Sequence, residues 1–427
     1  MIHFPTGEAK QKEAIVTSRE RVKLVIEHKE ADRVPLDLGA MRSTGIATIA
    51  YNNLRGKLSI QKGLARMYDF VQQLAYPEKQ IMDIFHIDVI DAGQAFLKSN
   101  DNWKEWTLND NSKCLIPKYL NIEIDKDLTV LVKDKNNIVL GKKPKTSLYV
   151  DQTYWVYKDL PVIPDTFEDI VKHMWAIPSP PWHLNIFDDE EYKLFVNNIK
   201  ELYQTTDYSI MLAVGCNLFE TGTFLRGMEN FLCDIYIDKK GTKRLLDFLV
   251  ERNLRLLDRV LRGVGEYVDI LQFGDDLGSQ DRPFMSPDVF REIFKPRYKK
   301  MWDFVHSNSD CKIFLHSCGS IYEVIPDLID IGLEILNPVQ TTAVNMEAER
   351  LKKEFGKDIT FWGGGCDTQY ILSTATAKEV GEDVKRRIDI FAKNGGFVFN
   401  QIHNILANVP PENIIAMLEV AYEYGKY

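Results

Sequence analysis

The chain has no block of Lys and Arg to offset its net charge of −9, so it carries neither a nucleic-acid footprint nor a polybasic membrane patch. A small-molecule or protein partner is expected. No apolar run approaches the length of a membrane span, and Met1 to Lys10 lacks the charged segment followed by an apolar one that marks a secretory leader. A cytoplasmic location is therefore expected. Six cysteines, scattered through 427 residues, are too few for a disulfide framework and are read as free thiols or metal ligands. No Gly-x-Gly-x-x-Gly follows the first predicted strand, which removes the commonest sign of dinucleotide binding. Internal repeats and low-complexity segments are also missing.

What is present is an α/β pattern. A hydrophobic content of 45%, with 22 Phe, 18 Tyr and 7 Trp, is enough to fill a large core. Short apolar runs recur at Asp32–Gly39, Ile87–Asp91, Ser209–Val214, Val268–Phe273, Lys312–His316, Leu333–Asn337, Ile359–Trp362 and Phe397–Asn400. Helical patterns at 241–263, 286–306, 320–330 and 376–393 separate most of the later runs, and such alternation implies parallel strands joined by crossovers. Eight units predict a (β/α)8 TIM barrel spanning 1–427, whose active site lies at the C-terminal ends of the strands. An open doubly wound sheet is the alternative. Between the second and third strands, residues 98–160 read as an inserted β-meander carrying Trp103, Trp106 and Trp155 over the barrel mouth. Those aromatics either pack the insertion onto the barrel or form a lid for an apolar substrate. A stiff Pro-rich linker, Ile177–Trp182, leads back to the barrel.

The chemistry gathers at the strand ends. Lys312–His316 runs into Ser317, Cys318 and Gly319, placing an imidazole and a thiol two residues apart at a strand lip. Cys366 leaves the seventh strand after a run of glycines. One imidazole and two thiolates with an open position suit catalytic zinc, so His316, Cys318 and Cys366 are the candidate metal ligands. Cys366 also fits as a small residue in a glycine-rich turn. Gln340, between the two ligand strands, is a candidate weak ligand or a substrate contact. Asp275 and Asp276 close the fourth strand, where they either orient a polar ligand and move a proton or cap the next turn. His403, after the eighth strand, is a candidate acid or base. Glu220 and Arg226, on the helix after the third strand, are candidate substrate contacts or helix-end residues.

Four segments together resemble the uroporphyrinogen decarboxylase superfamily: Gly274–Gln280 with Ser286-Pro287, His316-x-Cys318-Gly319, Asn337-Pro338-Val339-Gln340, and His403 followed by Pro410-Pro411-Glu412-Asn413. The superfamily implies a (β/α)8 barrel and contains two kinds of enzyme: metal-independent decarboxylases and zinc methyltransferases that work with corrinoid proteins. The decarboxylases carry Arg-Gln-Ala-Gly-Arg-Tyr after the first strand, where this chain has Gly39-Ala40-Met41-Arg42-Ser43-Thr44-Gly45. The methyltransferase pattern of His-x-Cys with a distant Cys matches His316, Cys318 and Cys366. Cobalamin-independent methionine synthase is similar at the same strands but has a Glu ligand where Gln340 stands here. The resemblance implies a zinc-dependent methyltransferase that moves a methyl group between a small substrate and a corrinoid. The corrinoid (cobalamin) would ride on a separate protein, because no Asp-x-His-x-x-Gly motif is present. The Trp-bearing insertion favours an aromatic methyl ether as donor, making the chain an O-demethylase component. The alternatives are a metal-independent lyase using Asp275, Asp276 or His403, and a non-catalytic tetrapyrrole- or corrinoid-binding protein.

Overall fold

The computed structural model describes residues 16–167, 170 and 178–427; Met1–Lys10 and Ile177 of the linker lie outside them. Seven strands form one all-parallel sheet in the order Val89–Asp91, Ser209–Gly215, Ile270–Gly274, Lys312–His316, Ile335–Asn337, Thr360–Trp362 and Phe397–Val398. The run predicted as the first strand closes the ring. Leu36 bridges Phe399 in parallel, Phe399 N–H donates to Pro35 O at 2.8 Å, and Asp88 N–H donates to Leu36 O at 2.8 Å. All eight predicted runs thus meet in one barrel, as the spacing of apolar runs and helical patterns implies.

Alternation along the strands assigns each side chain to a face. Val89, Met211, Ile270, Phe314, Ile335, Trp362 and Val398 form one buried cluster with Val22, Val25 and Ile26 of the helix Ser18–Ile26. This cluster is the barrel interior, with that helix packed into it. Their strand neighbours, among them Leu271, Ile313, Leu315, Leu336, Phe361 and Phe397, belong instead to the large cluster shared with the surrounding helices.

The region 98–160 is β-rich, as expected. Trp103–Thr107 and Lys113–Pro117 form a hairpin, and Asp151–Gln152, Val139–Lys143, Val130–Lys133 and Ile122–Ile124 form a four-stranded antiparallel sheet in that order. An additional antiparallel sheet of Ile46–Ala47, Leu74–Ala75 and Met67–Asp69 precedes it. Its strands are two or three residues long, too short for alternation to show in the sequence. Met67 and Phe70 share a core with Cys114, Ile116, Val130 and Val132, and Trp106 packs edge-on against Phe70 at 5.5 Å. Trp103 is buried with Tyr68, Leu74 and Tyr76. These two tryptophans therefore join the β-rich region to the preceding sheet.

Candidate functional site

Inside the barrel, residues two apart along a strand share a face, so Phe314 in the interior places His316 at the interior lip. The same parity brings Asn337 beside it: His316 Nδ1 lies 2.6 Å from Asn337 Oδ1. Asn337 Nδ2 donates to Trp362 O at 2.8 Å, which turns the amide oxygen toward the imidazole. An amide oxygen only accepts, so Nδ1 carries the proton and Nε2 presents its lone pair to the mouth. At Nε2 stand Ser43 Oγ at 3.1 Å, Cys318 Sγ at 3.5 Å and Asp276 Oδ1 at 3.5 Å. Ligand atoms of His316, Cys318 and His403 all lie within 4.8 Å of one another, the one such group among the described residues able to hold a metal ion. His403 has a left-handed backbone, φ +65°, unusual for a residue with a side chain. Burial and the neighbouring His316 push its pKa down to about 4. Burial, Asp276 and Glu220 push the Cys318 thiol well above the usual range.

Cys366 does not join this group. It is fully buried, its sulfur lies 3.8 Å from Asp367 O, and its charged neighbours are Asp383 and Arg387 of the helix Ala377–Phe391. Three glycines precede it, two at positive φ (Gly363 +119°, Gly364 +68°), so strand parity does not carry through to position 366. Both polar atoms of the Gln340 amide are bonded to neighbouring loops. Its oxygen accepts from Gly319 N–H at 2.8 Å and its nitrogen donates to Gln280 Oε1 at 2.8 Å, tying together three strand-end loops.

The two aspartates separate by parity. Asp276 shares the face of Ile270, Gln272 and Gly274 and accepts from Cys318 N–H at 2.8 Å. Asp275 faces the helices, where the candidate catalytic role gives way to capping. Fully buried, it accepts from Leu218, Phe219 and Glu220 N–H at 2.6 to 2.9 Å, the start of the helix Phe219–Arg226, and from Tyr298 Oη. Burial lifts its pKa to about 6. Arg226 is likewise engaged within the fold: it is buried, pairs with Asp234 at 2.6 Å and donates to Tyr157 O and Leu160 O. Glu220 takes a bond from Asn217 Nδ2 at 2.5 Å, and burial next to Asp276 and Asp275 raises its pKa well above the usual carboxyl range.

A second polar group at the mouth did not register as functional in the sequence. Arg42 pairs with Asp69 at 2.5 Å and donates to Ser179 Oγ at 2.7 Å, while Tyr68 and Tyr76 stack with centroids 3.9 Å apart. Asp91, at the inner C-terminal end of its strand, is buried there, and burial pushes its pKa up to about 7. Burial likewise lifts Asp37 to about 6, though Trp362 Nε1 donates to it at 2.8 Å. An acid whose folded pKa is raised holds its proton more tightly when folded. Its contribution to stability is complete below the unfolded value of 3.8 and is lost as the pH climbs through the folded value. Asp91 and Asp37 therefore each withdraw stability between about pH 4 and their folded values, against the opposite contribution of His403, and Asp91→Asn is expected to melt with less loss than the parent as the pH rises toward about 7. An unchanged profile in Asp91→Asn would show that Asp91 titrates normally. An acidic residue at the inward parity of the second apolar run was the available signal.

The structure defines a parallel barrel whose mouth groups two histidines, a thiol and a carboxylate. Residues 213–424 match the model of the family "Uroporphyrinogen decarboxylase (URO-D)", in support of the superfamily that the four sequence segments resemble. No curated protein matches it. Among solved structures, a methyltransferase from Methanosarcina mazei aligns at TM-score 0.57 and 15% identity over 96% of this chain and 99% of that one, a likeness of fold. A GH10 endoxylanase retrieved from a sugarcane soil metagenome aligns at TM-score 0.32 and 7% identity, covering 54% of this chain and 81% of its own. No helix among the described residues is long and apolar enough to cross a membrane.

Proposed function

We propose that the protein is a zinc-dependent methyltransferase that moves a methyl group between a small substrate and a corrinoid carried by a separate protein. The observation that carries the reading is the grouping of His316, Cys318 and His403 at the barrel mouth. The donor set fits zinc: two imidazoles and one thiol supply three protein ligands and leave a position open, and the His316 tautomer fixed by Asn337 leaves Nε2 able to bind. His403 takes the place that the sequence reading gave to Cys366. A zinc ion held there would supply Lewis acidity to the oxygen or sulfur atom that loses or accepts the methyl group.

The chain's own residues do the rest. Asp276, 3.5 Å from His316 Nε2, marks the side of the site where a substrate proton would be held. Glu220, whose carboxyl pKa is raised by burial and by Asp276 and Asp275, is the group placed to return a proton to a leaving oxygen. The long β-rich region beside Arg42 and Asp69 favours an aromatic methyl ether as donor over a small thiol acceptor.

The test is methyl transfer from methoxybenzoates to free cob(I)alamin, with metal analysis of the same preparation. About one zinc per chain and activity abolished by a chelator are expected. Carbon dioxide release from a carboxylated substrate, indifferent to chelator, would instead establish a decarboxylase.

A further inference from the structure

We propose that a cleft outside the barrel mouth, walled by Arg66, Trp103, Phe96 and Tyr76, binds a small aromatic carboxylate. The cleft has a volume of about 700 Å³, within the range of roughly 300–1,000 Å³ usual for small-molecule sites. It opens where the hairpin strand Trp103–Thr107 meets the sheet strand Leu74–Ala75 and the segment after Val89–Asp91.

Two features specify the ligand. The first is a flat apolar wall. Trp103 and Phe96 are buried, and the Trp103 indole N–H is already used by Leu97 O at 2.7 Å, so that ring has only apolar surface to offer. The second is an excess of positive charge. Arg66 lies 5.4 Å from the Trp103 ring centroid and bonds only neutral acceptors, Lys98 O and Asn100 Oδ1. Lys62, on the same rim, makes no ion pair among the described residues. The other charges are paired: Glu78 with Arg55 at 2.8 Å, and Lys79 with Asp83 at 2.7 Å. A guanidinium beside an aromatic face, whose neighbouring carboxylate Glu78 is bonded to Arg55 instead, matches a planar ring bearing a carboxylate. The inference does not depend on the metal reading, since none of these residues belongs to the group of His316, Cys318 and His403.

The experiment is titration calorimetry of the full chain with 4-methoxybenzoate and with 4-methoxybenzamide, its uncharged counterpart. Saturable binding of the acid is expected, about tenfold tighter than the amide, and weakened about tenfold in Arg66→Gln, the loss of one charge-assisted pair. Lys62→Gln, at an exposed position, should weaken the acid in the same direction and keeps the test decisive if Arg66→Gln melts early. Equal affinity for acid and amide, or no saturable binding, overturns the proposal. So does full affinity in a folded Arg66→Gln, which would put the acid elsewhere, such as the barrel mouth.

Discussion

His403→Ala is expected to lower zinc affinity by more than about a hundredfold, and Cys318→Ser to do the same, while Cys366→Ser leaves zinc content unchanged. The magnitude follows from ligand count. Changing a partner that merely orients a ligand commonly costs 10- to 100-fold in metal affinity, and removing one of three protein ligands should cost more. Asn337→Leu supplies the internal comparison. It frees the His316 ring without touching a ligand, so its loss should fall in the range of about 10- to 100-fold. Competition with a chromophoric chelator, read beside circular dichroism to confirm folding, measures all four variants. The opposite ranking, with Cys366→Ser losing zinc and His403→Ala keeping it, would restore the ligand set read from the sequence and remove the one drawn from the geometry.

Strand parity separates what the sequence made legible from what it hid. The barrel could be read because each of its strands is an apolar run, and His316 could be read because it ends such a run on the same face as Phe314. Asp275 and Asp276 look alike in sequence, yet counting by twos from Ile270 sends Asp276 inward and Asp275 to the helices, where it caps Phe219–Arg226. Parity also points Asp37, Asp91 and Asn337 inward, so these were within reach of the same count. It fails where the chain leaves strand geometry. Cys366 follows glycines at positive φ, and His403 itself sits at φ +65°, so neither side-chain direction follows from the register of the preceding strand. Arg226 was hidden for another reason: its partners come from Asp234 and from carbonyls far away in sequence.

Asp88→Ala is expected to destabilise the fold by about 3–5 kcal/mol, the usual cost of removing one partner from a buried ion pair and leaving the other uncompensated. Asp88 is fully buried just before the strand Val89–Asp91. Its carboxylate accepts from Arg21 at 2.7 Å, from Arg33 at 2.6 and 2.9 Å, from Leu36 N–H at 2.8 Å and from Ser18 Oγ at 2.8 Å. These donors come from the helix that packs into the barrel interior and from the segment that closes the ring, so one side chain holds both to the same strand. Asp88→Asn, which keeps the shape and one acceptor oxygen, should lose less than Asp88→Ala but still leave Arg33 without its counter-charge. Arg21 retains Asp32 at 2.6 Å in either variant, which makes Arg33 the stranded cation and predicts that Arg33→Met recovers part of the loss in the Asp88→Ala background. Urea denaturation of the four proteins measures this. A change under about 1 kcal/mol in Asp88→Ala would mean that backbone pairing at Leu36 and Phe399 closes the barrel unaided.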